Sequence, residues 1–248
     1  MEALGDIFHL EIGDFECLFV SDGTLAAPDP QLIPPPSGEH SQPEQPLGLT
    51  CLLLIRGEQR VLIDTGLGVG VEPSAGKLLQ NLQEAGIRPE EVDTIILSHG
   101  HHDHIGGSTD AEGRSVFPNA RYFLLRNEWK YWTSEPSPTQ GAEKDRLVMH
   151  ALAREKLMSI QDQVCLVDDG AEIMSGIELI AAPGHTPGNV VLTVSSGGER
   201  LICVGDVIHH PSELSGSDLY NVFDADPEQA KRTRAALLSR VATLHVPV

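Results

Sequence analysis

Residues 98–104 of the chain read Ser98-His99-Gly100-His101-His102-Asp103-His104, directly after the apolar run of residues 94–97. Neutral imidazole and carboxylate groups bind borderline divalent metals such as zinc, at about 2.0–2.2 Å. In a continuous strand these side chains would alternate between two faces. A chain that leaves a strand at Ser98 and begins a helix near Asp103 could instead turn four of them toward one point. The segment therefore predicts a metal-binding loop, because a tag remnant would lie at a terminus and would not follow a hydrophobic strand.

Three further motifs accompany this loop. Residues 61–66 end in Asp64-Thr65-Gly66, residues 182–188 contain His185, and residues 203–206 end in Gly205-Asp206. The ordered set resembles the metallo-β-lactamase fold superfamily, whose His-x-His-x-Asp-His signature is matched by His99, His101, Asp103 and His104. Asp-Thr-Gly or Gly-Asp alone would be weak evidence, so the resemblance depends on all four motifs together.

The resemblance implies an α/β fold in four layers, an αββα sandwich of two mixed β-sheets flanked by helices. The active site would lie along one edge of the sheets. Strands and helices are interspersed along the sequence in agreement with this architecture. A length of 248 residues suits one domain spanning residues 1–248. The Pro-rich insertion at residues 25–48 is expected to be a surface loop, with a pocket wall as the alternative.

Hydrophobic periodicity predicts the individual elements. A hairpin over residues 8–22 is expected to turn at Gly13-Asp14. Further strands are predicted at residues 50–55, 60–63, 92–97, 121–125, 164–167, 177–182, 190–194 and 201–204.

Three longer helices are expected. The first, over residues 74–85, would begin with Ser74 as its cap, and the last, over residues 227–241, with Asp226 as its cap. The helix over residues 142–159 would carry His150 in a structural role. Its predicted core contacts are Leu147, Ala151, Leu152 and Met158.

The resemblance also implies a ligand set, carried over residue by residue. The first metal would be held by His99, His101 and His185; the second by Asp103 and His104; and Asp206 would bridge the two.

A further histidine late in the chain would complete the second site, and His245 is the candidate. Few residues separate the predicted last helix from His245, which leaves little room for a strand to deliver this ligand. Either that helix ends earlier than predicted, or the C-terminal part is shortened and the second site is incomplete.

The implied cofactor is Zn²⁺, two ions per chain, or one if the second site is incomplete. Iron and manganese accept the same ligands. Two dications about 3.5–4 Å apart bring a shared water close to ionisation at neutral pH, so a zinc-bound hydroxide would attack without a protein nucleophile. Asp103 is predicted to orient the hydroxide and to pass its proton to the leaving group. His209 would donate a hydrogen bond to the developing oxyanion or have a structural role. Asp64 would fix a ligand imidazole or simply form a turn.

The predicted function is a metal-dependent hydrolase that cleaves a small ester-like substrate: a lactone, a carboxylic ester or an organophosphate ester. Residues 209–211 and 223–227 resemble the broad subgroup that contains methyl-parathion-hydrolase-like and lactonase-like enzymes. One alternative is a thioester hydrolase like glyoxalase II, which holds an anionic substrate with basic residues. That alternative ranks lower because 17 basic residues stand against 36 acidic ones. Another alternative is a metal-binding, non-catalytic member of the fold.

Composition and net charge favour a small-molecule substrate as the binding partner of this chain. A net charge of -19 argues against nucleic acid, since phosphate binding needs clustered Lys and Arg. The apolar runs are too short to span a membrane, and no secretory signal is recognised. Oligomeric state is left open, a homodimer included. A cytoplasmic location is expected because the four cysteines lie far apart in apolar contexts: Cys17, Cys51, Cys165 and Cys203.

Overall fold

Two β-sheets form the centre of the protein. The computed structural model describes residues 2–4, 6–25, 46–135, 144–209 and 223–244. Within these residues the larger sheet has its strands in chain order: β1 Glu2–Leu4, β2 Ile7–Ile12, β3 Phe15–Leu25, β4 Leu47–Arg56, β5 Gln59–Ile63, β6 Thr94–Ile96, β7 Arg121–Leu125 and β8 Val164–Val167. The smaller sheet has the order β12–β11–β10–β9, with β9 Glu172–Met174, β10 Ile177–Ala181, β11 Val190–Ser196 and β12 Glu199–Cys203.

Helices connect the parallel strands and cover the outer faces. They are α1 Leu78–Glu84, α2 His102–Ile105, α3 Arg126–Thr133, α4 Lys144–Ser159 and α5 Pro227–Leu244. No helix among the described residues combines the length and the apolarity that crossing a membrane requires.

Strand direction follows the connections. Strands β1 to β5 pair antiparallel, whereas β5 to β8 pair parallel because α1, α2 and the α3–α4 pair cross between them. The described strands of the smaller sheet pair antiparallel. Short turns join β9 to β10 and β11 to β12, whereas residues 182–189 form a longer loop between β10 and β11. Two mixed sheets were expected. The larger sheet does combine parallel and antiparallel pairs, whereas the described strands of the smaller sheet pair only antiparallel.

Three apolar layers hold the sandwich together. Phe15 and Leu54 of the larger sheet meet Leu192 of the smaller sheet in the layer between the sheets. On the outer face of the larger sheet, α1 and α4 pack against residues that include Leu53 and Tyr122. On the outer face of the smaller sheet, Leu237 of α5 packs on Ile202. This order of layers confirms the predicted αββα fold.

Several local predictions are confirmed, and others fall outside the described residues. The hairpin turns at Gly13-Asp14, and Asp226 Oδ1 accepts a hydrogen bond from Gln229 N at 2.9 Å at the start of α5. That helix continues to Leu244, three residues further than predicted, so it ends immediately before His245. His245 lies outside the described residues, as do residues 26–45 of the insertion. Strands β1 and β9 were not predicted from the sequence.

Helix α1 begins at Leu78 rather than at Ser74, and its cap comes from a distant strand. Asp22 of β3 is buried, and its carboxylate accepts hydrogen bonds from Leu78 N and Leu67 N, both at 2.8 Å. Burial raises the pKa of Asp22, while four backbone hydrogen bonds work against that rise. Ser74 Oγ donates to Thr24 O instead of capping the helix. Local capping patterns cannot reveal a cap supplied from a different element.

Helix α4 buries a different face from the one predicted. The four expected core residues, Leu147, Ala151, Leu152 and Met158, are exposed, whereas His150, Ala153 and Leu157 are buried. Apolar residues lie on both faces of this helix, so their spacing did not identify the packed face.

Leu157 and Leu152 provide a matched test of this assignment. Leu157 is 0% exposed and Leu152 is 37% exposed. We expect Leu157→Ala to lower the free energy of unfolding by about 2–5 kcal/mol, because it leaves a cavity in the core. Leu152→Ala should change the same quantity by less than about 1 kcal/mol. Urea denaturation of both variants measures the difference, and equal losses would contradict the assigned face.

Candidate metal centre

Three imidazoles from two loops meet at the edge of the sandwich. The distance from His99 Nε2 to His101 Nδ1 is 3.0 Å, and the distance from His101 Nδ1 to His185 Nε2 is 2.8 Å. All three residues are buried. Nitrogen ligands at about 2.0–2.1 Å from a tetrahedral zinc ion would lie about 3.3 Å from one another. The three nitrogens are therefore close to the spacing that a shared cation requires.

Asp206 lies between this group and His104. Asp206 Oδ1 is 3.4 Å from His104 Nε2, and Asp206 Oδ2 is 3.4 Å from His185 Nε2 and 3.9 Å from His99 Nε2. One ligand atom from each of His99, His104 and Asp206 falls within 4.8 Å of the others. Asp103 lies beside this second group, with its Oδ2 at 3.6 Å from His104 Nε2.

His209 also reaches the centre. Its Nε2 is 3.3 Å from Asp206 Oδ2, and its ring centroid is 5.0 Å from that of His185. His185, Asp206 and His209 form a third set of atoms close enough to share a cation. The sequence suggested His209 as a hydrogen-bond donor or a structural residue, whereas the geometry also allows it to act as a ligand.

Strand ends deliver these side chains. The 99–104 loop follows β6, and α2 begins one residue after His101, whose carbonyl accepts hydrogen bonds from His104 N and Ile105 N. His185 follows β10, and Asp206 sits in a single helical turn after β12. A strand followed by an early helix is the conformation predicted for the ligand loop.

Asp64 holds both ends of the ligand loop. Its carboxylate accepts hydrogen bonds from Ser98 N and Ser98 Oγ, both at 2.7 Å, and its Oδ2 is 2.8 Å from His104 Nδ1. Its φ of 64° lies in the left-handed region, which Asp tolerates better than most residues. The predicted contact between Asp64 and a ligand imidazole is present in the structure.

Asp224 contacts the His185 ring as Asp64 contacts the His104 ring, and this contact was not predicted from the sequence. The distance from His185 Nδ1 to Asp224 Oδ1 is 3.0 Å, and both side chains are buried. Ala225 N donates to His185 O at 2.9 Å, so the backbone holds the same contact. Residues 223–227 were noted only for a family resemblance, and no pattern in the sequence connects Asp224 with His185, which lies 39 residues earlier.

Burial keeps two of the imidazoles neutral. It lowers the pKa of His99 well below its ordinary value, and the neighbouring His104 and His101 rings lower it further. Burial likewise lowers the pKa of His101, with His185 adding to the effect. Neutral imidazole is the form that binds a metal ion.

The carboxylates of the centre raise the pKa of His104. Burial alone would lower the pKa of His104, but Asp206, Asp103 and Asp64 outweigh it and raise that pKa well above its ordinary value. Burial would raise the pKa of Asp206, but His104 and His209 hold it well below its usual range. Asp206 is therefore an ionised carboxylate.

These contacts fit a divalent cation. The outer nitrogens of His185 and His104 face Asp224 and Asp64, and the outer nitrogen of His99 is 3.1 Å from Ser98 Oγ. Ring protons held on these outer nitrogens leave the inner nitrogens free to coordinate, an arrangement common around zinc-bound histidines.

Two other histidines lie outside the centre. His102 is half-buried on α2 and belongs to none of the close ligand sets of the described residues. His150 Nε2 is 3.1 Å from Tyr131 O, and its ring packs 5.6 Å from that of Trp132. The structural role predicted for His150 agrees with these contacts.

A cleft of about 310 Å³ opens beside the centre. Its polar end is formed by Asp103, His104, Asp206 and His209. Its walls are largely apolar and include Phe19, Leu49, Leu192, Leu201 and Ile208. An apolar cleft with a few converging polar groups is typical of a small-molecule site.

Comparison with known proteins identifies the family. The model of the metallo-beta-lactamase superfamily matches residues 45–243. The chain belongs to the metallo-beta-lactamase superfamily. The resemblance inferred from the four motifs is thereby confirmed.

Individual relatives agree with this assignment. Metallo-beta-lactamase domain-containing protein 1 of Xenopus laevis is 29% identical over 196 residues, covering 78% of this chain and 67% of its own length. A probable metallo-hydrolase of Bacillus subtilis, YflN, is 30% identical over 186 residues, covering 68% of this chain and 67% of its own. This chain spans between 56% and 67% of the length of the curated relatives it matches.

A solved structure extends the comparison to the whole fold. AidC, described as a dizinc quorum-quenching lactonase and solved with a product, N-hexanoyl-L-homoserine, superposes with a TM-score of 0.89 at 28% identity. The superposition covers 97% of this chain and 88% of AidC.

Asp224 and Asp226 provide a matched pair for testing the contact to His185. We expect Asp224→Ala to weaken zinc binding by about 10- to 100-fold, because it removes the group that orients the His185 ring. Asp226→Ala removes only the cap of α5 and should lower the free energy of unfolding by about 0.5–2 kcal/mol with unchanged zinc affinity. Competition with a chromophoric chelator measures the affinities. Equal zinc affinity in both variants would show that Asp224 does not orient the ligand.

Proposed function

We propose that the protein is a metal-dependent hydrolase of small ester-like substrates. The observation that carries the proposal is the convergence of His99, His101 and His185, with inner nitrogens 2.8–3.0 Å from their neighbours and Asp206 beside them. The likeness to AidC, a dizinc lactonase, supports the same reading.

Two zinc ions per chain are the proposed cofactor. His99, His101 and His185 would hold the first, His104 with Asp103 would hold the second, and Asp206 would contact both. A bound pair of such cations supplies Lewis acidity and a water that ionises near neutral pH. His245 stays a predicted ligand for the second cation. His209 Nε2 is 3.3 Å from Asp206 Oδ2, the oxygen that faces His185, so His209 lies on the side of the first cation.

Asp103 is the proposed acid–base group. It lies on α2 with Oδ2 3.6 Å from His104 Nε2, so it faces the centre from the cleft side. An ionised carboxylate at this point can accept a hydrogen bond from the attacking water and hold its proton at Oδ2. The same atom can then deliver the proton to the leaving oxygen.

His209 is the proposed donor to the substrate. It lines the cleft together with Asp206, and its Nε2 points at that carboxylate. A ring nitrogen that carries a proton here can donate a hydrogen bond to a substrate oxygen as negative charge develops on it.

The cleft favours a lactone, a carboxylic ester or an organophosphate ester. Its apolar walls suit the hydrocarbon part of such a molecule, and its polar end suits the reacting carbonyl or phosphoryl group. Lactones are the leading class because AidC, solved with a product, is a lactonase.

The remaining expectations are part of the same proposal. A net charge of -19 supports a small-molecule substrate over nucleic acid. All four cysteines lie within the described residues as free thiols, which supports a reducing, cytoplasmic location. The assignment of residues 1–248 to a single domain stays a prediction, and the oligomeric state stays open.

Elemental analysis of the purified protein, combined with a substrate panel, tests the proposal. We expect about two zinc ions per chain and turnover of at least one lactone, carboxylic ester or phosphotriester. Thioester turnover without ester turnover would favour the glyoxalase-II-like alternative. Bound metal with no hydrolysis of any substrate would favour a non-catalytic member of the family.

Replacement of the bridging carboxylate tests the centre itself. We expect Asp206→Ala to lower kcat/KM by about 100-fold or more, since even outer-shell partners of metal ligands contribute 10- to 100-fold. His150→Ala, which removes a buried histidine outside the centre, should leave kcat/KM unchanged. Steady-state kinetics on the best substrate measure both. Activity of the Asp206 variant close to that of the parent would contradict the assigned bridge.

A further inference from the structure

Glu128 is a fully buried carboxylate to which the proposed chemistry gives no role. It lies on α3 and is 0% exposed. Its Oε1 accepts hydrogen bonds from Gly100 N at 2.8 Å and Trp132 Nε1 at 2.6 Å. Its Oε2 accepts hydrogen bonds from Thr186 Oγ1 and Gly188 N, both at 2.8 Å. Each carboxylate oxygen thus accepts two hydrogen bonds.

Three of these donors belong to the two loops that carry the histidines of the first metal site, and the fourth, Trp132, lies on α3 itself. Gly100 lies between His99 and His101, and Thr186 directly follows His185. The two loops are about 84 residues apart in sequence at the point where their rings touch. One side chain of α3 therefore connects the 99–104 loop to the 182–188 loop.

The backbone contacts around Glu128 are too close for side chains. A Cβ added at Gly188 would lie 2.3 Å from Glu128 N, and one added at Gly100 would lie 2.3 Å from Trp132 Nε1. The Trp132 ring also packs edge-on against His101, with centroids 5.4 Å apart. Both loops are thus seated directly on α3, and Glu128 lies at the junction.

Burying a carboxylate at such a position carries a desolvation cost in free energy. Burial raises the pKa of Glu128, and the hydrogen bonds from Trp132, Thr186, Gly100 and Gly188 act against that rise. An apolar side chain could fill the same space without the desolvation cost. An ionised carboxylate, in contrast, can accept all four hydrogen bonds, because it carries no donor of its own.

We propose that Glu128 is a positioning residue of the metal centre. Its carboxylate fixes the 99–104 loop and the 182–188 loop at the separation at which His101 and His185 can share one cation. The inference rests on the proposed metal centre and deepens it, because it assigns a role to a residue that is not itself a ligand.

Glu128→Gln tests this role with almost no change in size. The amide NH₂ must replace one of the two oxygens, and each oxygen accepts from two donors. Turned toward Thr186, the NH₂ can donate to a reoriented hydroxyl but leaves Gly188 N–H without an acceptor. Turned toward Gly100, it faces two N–H groups. Either orientation releases one of the loops.

A matched control separates positioning from general stability. Asp22 is also a fully buried carboxylate that accepts backbone hydrogen bonds, but it anchors α1 and the backbone at Leu67 and makes no contact with the 99–104 or 182–188 loop among the described hydrogen bonds. Asp22→Asn should destabilise the protein without changing its metal affinity. Thr186→Val is a milder second variant, because it removes one donor to Glu128 and nearly preserves the side-chain volume.

The experiment is a cobalt titration of chelator-treated protein, followed by visible absorption, on the parent and the three variants. Urea unfolding of the same metal-free samples gives their stabilities. We expect Glu128→Gln to weaken Co²⁺ binding by about 10-fold or more. Thr186→Val should show a smaller loss in the same direction, and Asp22→Asn should bind Co²⁺ like the parent.

Three outcomes overturn the inference, and they differ in whether the proposed metal centre fails as well. If the parent binds Co²⁺ and Glu128→Gln binds it equally well while losing stability, Glu128 is only a structural residue and the metal centre stands. If the parent binds no Co²⁺, the proposed metal centre fails and the inference fails with it. Should Glu128→Gln not fold, unchanged Co²⁺ affinity in folded Thr186→Val overturns the inference instead.

Discussion

The structure depends on holding several imidazole nitrogens close together without mutual repulsion. His99, His101 and His185 approach to 2.8–3.0 Å, a distance that charged rings could not tolerate in a buried site. Burial keeps the His99 and His101 rings neutral by lowering their pKa. Hydrogen-bonding partners behind the rings fix which nitrogen faces inward. Neutral His99 and His101 rings with nitrogens this close to each other and to His185 fit a shared divalent cation.

The two-sheet architecture is what brings the ligands together. The 99–104 loop follows a parallel strand of the larger sheet, whereas His185 and Asp206 follow strands of the smaller sheet. Their relative placement is therefore set by the apolar layer between the sheets, where Phe15 and Leu192 pack. Interiors packed at near-crystalline density resist deformation, so the layer transmits its geometry to the edge.

Contiguous motifs were readable from the sequence, and long-range contacts were not. The seven residues from Ser98 to His104 predicted their own strand, turn and helix, and the four motifs together predicted the fold. The roles of Asp224 and Glu128 were not predicted because their partners in the histidine-bearing loops lie 28 to 60 residues away, and no local pattern connects an acidic residue with so distant a partner. The packed face of α4 was misassigned because hydrophobic spacing does not choose between two apolar faces.

One backbone contact links the ligand loop to the opposite sheet. Val190 N, at the start of β11, donates at 3.1 Å to the carbonyl oxygen of Ser98, the same residue whose N–H and hydroxyl donate to Asp64. Parting of the sheets breaks this bond and pulls the ligand loop away from His185. A cation bound there opposes such opening by mass action, in proportion to the logarithm of its free concentration. The lifetime of the folded chain in a cell would then vary with the local supply of metal, and starvation for that metal would expose it to proteases.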